Sequence, residues 1–192
     1  MGHLGIKQLL LLATFCAPVG LFAQQEICGV KFGASFEVAQ AILDQKFGEG
    51  YVSSNKNMLV YRDVRYSGIN WDRLTFEFQR DGSSSYCISC QMLLFCGNIK
   101  LAKESRDKLR DKLAQKYELK EFVDADGIKG YKGGVSPTDE REYGFRLEVV
   151  KHVNRHLGAL AAVLQDICGE PLLDLYAVVL TYGPYSYVDE EL

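Results

Sequence analysis

Residues 95–117 read FCGNIKLAKESRDKLRDKLAQKY, and residues 27–47 read ICGVKFGASFEVAQAILDQKF. Both stretches open on an apolar residue followed by Cys-Gly, pass through a lysine and an apolar residue, and close a helical pattern on Gln-Lys-aromatic. Ala41 to Phe47 (AILDQKF) and Asp111 to Tyr117 (DKLAQKY) set Leu43, Gln45 and Lys46 against Leu113, Gln115 and Lys116, seventy positions on. The chain therefore reads as a duplicated unit, residues 24–97 and residues 98–192, with Phe95 to Tyr117 as the seam.

In the first copy, Ile27 to Phe32 reads as a short strand and Gly33 as a tight turn. Ser35 suits an N-cap, because its hydroxyl can accept from an unsatisfied N–H of the first helical turn. Val38, Ala39, Ile42, Leu43 and Phe47 make one apolar stripe at helical spacing, stopped by Gly48 and Gly50. After a polar loop, Ser53 to Asn57, the pattern changes to strands. Met58 to Tyr66 alternates and ends at a Ser67-Gly68 turn. Leu74 to Gln79 sets Leu74, Phe76 and Phe78 on one face, and Asp81-Gly82 signals a hairpin. Tyr86 to Cys96 returns, with Tyr86, Ile88, Cys90, Met92, Leu94 and Cys96 on one apolar face and Leu93 and Phe95 covering the other.

The second copy repeats the order. A helix over Ile99 to Tyr117 aligns Leu101, Ser105, Leu109, Leu113 and Tyr117 on a narrow stripe amid charged residues, so one side packs and the rest is solvated. Leu119 to Val123 and Ile128 to Tyr131 form a hairpin about Asp126-Gly127, followed by a polar loop from Val135 to Glu142 and a strand over Tyr143 to Lys151. Asn154 then caps an extra helix, residues 154–168, ended by Gly169 and Pro171. Leu175 to Tyr182 is apolar on both faces, the mark of a central strand. The predicted class is α+β: two tandem αβββ units forming antiparallel sheet, helices on one face, with the extra helix inserted in the second unit. One continuous sheet and two lobes both satisfy this pattern.

Residues 1–23 read as a signal peptide: Lys7 supplies positive charge, Leu9 to Phe15 is a short apolar run, and Ala23 offers a small residue for cleavage. The expectation is an exported protein, periplasmic or extracellular, without a transmembrane segment, since no apolar run approaches the ~20 residues a membrane helix needs. Lys and Arg number 22 against 25 Asp and Glu. With no concentrated basic stretch, nucleic acid is not an expected partner.

Chemical motifs are sparse. Of six cysteines, Cys28, Cys87, Cys90, Cys96 and Cys168 follow the leader, an odd set whose pairing spacing leaves open. Cys87-Ile-Ser-Cys90 matches the thiol-disulfide motif, but that chemistry wants a helix N-terminus. In a strand, residues three apart point to opposite faces, so the pair reads as structural. His152 and His156 are four apart, but the proposed cap at Asn154 leaves His152 outside the helix and no third ligand stands out, so no metal site is expected. Asp124-Ala-Asp126-Gly127 begins like a calcium loop and reads instead as a hairpin turn. No cofactor motif occurs. Tyrosines gather at strand ends and loops, and Tyr182, Tyr185 and Tyr187 of the aromatic tail are the candidate binding residues, tyrosine being suited to stacking on sugar or gripping peptide. Tyrosine is also a favoured strand residue, and core and sheet-surface packing is its ordinary account.

The segments KFGASFE (31–37), YRDVRYSG (61–68), FEFQ (76–79) and LTYGPY (180–185) resemble a group of exported Bacteroidota proteins of unknown function. The duplicated helix-and-sheet order is similar to the β-lactamase inhibitor-like fold, whose members bind other proteins. The resemblance implies export and brings no catalytic residues. The sparse chemical motifs together with the exposed aromatics point to a non-enzymatic binding or assembly module of the cell envelope that recognises a protein or glycan. The alternative is an envelope hydrolase with a dispersed carboxylate pair, which requires a deep pocket holding two Asp or Glu residues.

Overall fold

The computed structural model describes residues 25–152 and 175–185. The expected leader, the helix at residues 154–168, His156, Cys168 and Tyr187 lie outside the described residues. The described chain starts with a hairpin of two short strands, β1 (Glu26–Ile27) and β2 (Val30–Lys31), where one strand was expected. Cys28 and Gly29 form its turn with φ of 58° and 91°, the positive values that match a hairpin's right-handed twist.

Helix α1 (Phe36–Phe47) begins at Ser35, whose side chain accepts from the Val38 N–H at 3.4 Å, and ends at Gly48 with φ of 83°. Phe36, Ala39 and Leu43 are buried, whereas Val38, expected on that stripe, is 52% exposed. Helix α2 (Ile99–Ala114) is capped by Asn98, which accepts from the Leu101 N–H at 2.9 Å. Its buried residues are Ala102, Arg106 and Leu109, and Leu101 is 49% exposed. The expected stripe ran in steps of four from Leu101. Each such step overshoots a turn by about 40°, so the row winds off the packed face, and mixed steps of three and four hold it.

Among the described residues each helix is followed by four strands rather than three. After α1 come β3 (Tyr51–Val52), β4 (Met58–Tyr66), β5 (Ile69–Asp81) and β6 (Ser84–Cys96); after α2 come β7 (Leu119–Val123), β8 (Lys129–Gly133), β9 (Phe145–His152) and β10 (Leu175–Tyr182). They build one continuous eight-stranded sheet in the order β3-β4-β5-β6-β10-β9-β8-β7, antiparallel throughout. The last strand of each set meets the other at the centre, where Val178 pairs with Leu94 and Tyr182 with Cys90. The described molecule is thus mainly antiparallel sheet with two helices on one face, an α+β architecture. The central position of β10 explains its two apolar faces: Val178, Leu180 and Tyr182 join the main core, and Ala177 and Val179 pack with Leu93 in a smaller cluster.

Two slips in strand alternation decide what reaches the helix side. At the first, Glu77 pairs with Ser89 and Phe78 with Cys87, so Ile88 is an extra residue on β6. Phe76 and Phe78 share a face, hence their partners Cys90 and Cys87 share it too, and both thiols are buried. The opposite-face expectation for Cys87 and Cys90 fails because a bulge shifts the phase of everything beyond it. The freed Ile88 carbonyl accepts from the Tyr185 N–H at 2.9 Å. The second slip lies between Trp71 and Leu74. Both are buried in the same core although three apart, opposite Asp63, whose backbone is left-handed at φ of 53°.

These packing assignments predict a contrast within one helix. Leu109→Ala should lower urea-denaturation stability by about 2–4 kcal/mol, as truncation of a buried leucine does. Leu101→Ala should stay within about 0.5 kcal/mol. Equal losses at the two positions would contradict the packed face described above.

Candidate functional site

The slip at Asp63 gives the sheet a second consequence. It turns Tyr66, Ile69 and Trp71, at the β4–β5 end, toward the C-terminal half of α2. Between them lies a pocket of about 410 Å³, within the size range of small-molecule sites. Leu109, Leu113 and Tyr117 wall it on the α2 side, Ile27 closes one flank, and Met92, Leu180 and Tyr182 form its floor. Lys112, Gln115, Lys116 and Ser67 supply most of its polar groups.

The walls are held by specific contacts. Tyr117 meets the Phe145 ring edge-on at 5.1 Å, and Phe145 meets Tyr182 at 5.7 Å. The Cys28 N–H donates to the Tyr66 hydroxyl at 3.4 Å, and the Lys46 ammonium sits 5.1 Å from the Tyr66 ring centre while donating to the Cys28 carbonyl. Burial raises the phenol pKa of Tyr66, Tyr117 and Tyr182, so all three remain neutral hydroxyls. Trp71 is 2% exposed, and its Nε1 has no hydrogen-bond partner. A buried unpartnered donor costs about 1–3 kcal/mol, so this indole N–H is a local cost to stability beside the pocket.

Every formal charge on the described lining is positive, from Lys112 and Lys116. A carboxylate pair has no place there, so the hydrolase alternative draws no support from this pocket. Among the described residues no three His, Cys, Asp or Glu side chains converge into a metal-binding group, and no helix is long and apolar enough to cross a membrane.

Of the tyrosines marked as binding candidates, the described two take the packing role. Tyr182 and Tyr185 are core residues, 6% and 3% exposed, not an accessible aromatic surface. Tyr182 reaches the pocket only as part of its floor. Tyr185 is fixed by the Ile88 carbonyl, by an edge-on contact with Phe32 at 4.5 Å and by a 2.5 Å hydrogen bond to the Gly144 carbonyl. Tyr187 lies outside the described residues. Of the site that the structure does assemble, the sequence marked Tyr182 as a candidate binding residue and Leu109, Leu113 and Tyr117 as the packing stripe of the second helix. Trp71, Lys112 and Lys116 were missed, although a lone tryptophan between a turn and an alternating strand was the available signal.

Four described cysteines, Cys28, Cys87, Cys90 and Cys96, carry no disulfide. Burial pushes the Cys28 and Cys87 thiols up to about 12 and Cys90 well above its ordinary value. Comparison with protein-family models, curated proteins and solved structures finds no match to this chain.

Thiols raised above their unfolded value of 9 stabilise the fold fully below pH 9, and that stability drains as pH climbs toward 12. Each removes about 1.4 kcal/mol per pH unit in that window. Urea midpoints should therefore fall steeply from pH 9 upward. At pH 8, peptide mapping after iodoacetamide treatment should find Cys28, Cys87 and Cys90 unmodified while the fold persists. Rapid labelling of native Cys87 would reinstate thiol exchange.

Proposed function

We propose that this protein is a non-enzymatic binding module of the cell envelope whose ligand enters the pocket between α2 and the β4–β5 hairpin. The observation that carries this reading is the pocket itself: about 410 Å³, lined by aliphatic and aromatic side chains on the sheet and helix and by a comparable share of polar surface from Ser67, Lys112, Gln115 and Lys116. Sites of that kind bind small molecules by burying an apolar body and orienting it with a small number of polar groups. An extended glycan suits it poorly, because sugar hydroxyls set against Ile27, Ile69, Met92 and Leu113 would lose water without gaining partners. A compact, largely apolar molecule, or one apolar group presented by a protein partner, matches the walls.

Export belongs to the same proposal and rests on the leader pattern of residues 1–23 and on the resemblance to exported proteins. So does the tandem origin of the fold. It is supported by the sequence correspondence of residues 27–47 with residues 95–117, and by a strand order in which two helix-plus-four-strand sets meet at β6 and β10. On this view the pocket lies where the copies differ, using α2 but not α1 as a wall.

Trp71 is the only tryptophan, so its emission reports on the pocket without engineering. Titration with the neutral probe N-phenyl-1-naphthylamine should quench Trp71 saturably, at one probe per chain and with a micromolar Kd, through energy transfer to the bound probe. Leu113→Trp, which fills the pocket, should weaken binding at least about tenfold when the probe is excited directly. Non-saturable quenching, or unchanged affinity in a folded Leu113→Trp protein, would count against the pocket as the site.

A further inference from the structure

The donor and charge inventory of the pocket goes beyond its size. Its lining includes two lysines, Lys112 and Lys116, one turn apart near the end of α2, beside the buried ring of Trp71. Among the described residues neither lysine has an ion-pair partner. Arg106, Arg110, Lys129, Arg141 and Arg146 each lie within 4.0 Å of a carboxylate, whereas Lys100, Lys103 and Lys108 of the same helix are as unpaired as Lys112 and Lys116, so position on the pocket lining, not lack of a partner, sets these two apart. The α2 carbonyls at this end favour cations, which accounts for one lysine in the last turn. One of these carbonyls is already satisfied, because that of Leu113 accepts from both the Lys116 and Tyr117 N–H groups. The lysines are thus left with charge to direct at the pocket mouth.

We infer that the ligand is an anionic amphiphile: a single carboxylate-type head at Lys112 and Lys116, and an apolar body lying between Trp71, Leu113 and the Met92–Leu180 floor. This rests on the pocket reading above and adds the sign and position of the head. With a water's share of volume near 30 Å³, the space corresponds to roughly a dozen waters, or a body of about ten carbons beside its head. Positive charge at a pocket mouth with apolar walls attracts such a ligand and orients it head outward, as neither element does alone. A cationic amphiphile is repelled, and a neutral one is retained by the walls but loses the head contact.

The test compares matched ligands on the purified protein by Trp71 fluorescence: decanoate, 1-decanol and the neutral naphthylamine probe. Lys112→Gln with Lys116→Gln is set against Lys100→Gln with Lys103→Gln, a pair on α2 outside the lining that changes net charge equally. All four residues are exposed, so the variants keep the fold, checked by near-ultraviolet circular dichroism. Decanoate should bind about tenfold tighter than decanol to the parent protein and the control pair, and that preference should fall to about twofold in the Lys112/Lys116 pair. Equal affinity for decanol and decanoate, a preference that survives loss of both lysines, or probe binding with no binding of decanoate would overturn the anionic head while leaving the pocket standing. Failure of all three ligands to bind would overturn the pocket reading beneath it.

Discussion

The antiparallel pairing of β6 with β10 is the interaction from which the rest of the molecule hangs. It sets residues 90–96 against residues 176–182, closing a long loop whose entropy must be offset by what the pairing buries. The composition of the two strands meets that demand. Cys90, Met92, Val178 and Leu180 are nearly inaccessible on the helix side, and Leu93, Ala177 and Val179 on the other. Four strands then extend the sheet outward on each side of the seam, each set carrying its helix back over the same face. Without the seam the two helices would have no common floor, and the space between α2 and the β4–β5 hairpin would not exist.

Regular alternation would have made a different protein. A one-residue shift in a strand exchanges its core and solvent faces; this sheet makes that shift once, at Ile88, and at Asp63 it breaks the in-out alternation while the β4–β5 register holds. The bulge at Ile88 turns Cys87 inward beside Cys90 and presents a carbonyl that holds Tyr185. The left-handed residue at Asp63 turns Trp71 inward beside Met92 and Leu180. The first slip yields packing: the buried thiols are driven into their neutral form and lose the nucleophilicity that their motif advertises. The second yields a cavity wall. Trp71 is too large to be redundant in a core, and its indole N–H is left without a partner, an arrangement that stability alone does not favour.

The pocket joins features that oppose one another in an isolated domain. Apolar walls favour closure, while two ammonium groups resist it, because burying them would strip their water. A ligand with an apolar body and an acceptor-rich head satisfies both at once. The tyrosines that looked like a gripping surface serve a different end. Tyr182 and Tyr185 tie the final strand to β6 and to the Gly144 loop, and that rigidity keeps the floor beneath the cavity fixed.

The sequence by itself determined the elements. Caps at Ser35, turn residues at Ser67-Gly68 and Gly127, the alternation of Leu74, Phe76 and Phe78, and the doubly apolar run at Leu175–Tyr182 are local signals, each carried by backbone chemistry within a few residues. They suffice for the α+β class, for antiparallel pairing and for β10 as a central strand. The α2 stripe was legible only in part, since a charged residue, Arg106, takes a buried position that hydrophobicity does not mark. Tertiary structure decided everything that depends on phase and proximity: which faces Cys87 and Trp71 point to, that Tyr182 and Tyr185 are interior, and that Ile27, Trp71, Lys112 and Leu180 surround one space. The reason is physical. A bulge or a left-handed residue costs little locally and leaves no pattern in composition, yet it inverts every side chain beyond it, and a pocket lined from six separate elements has no signature along the chain.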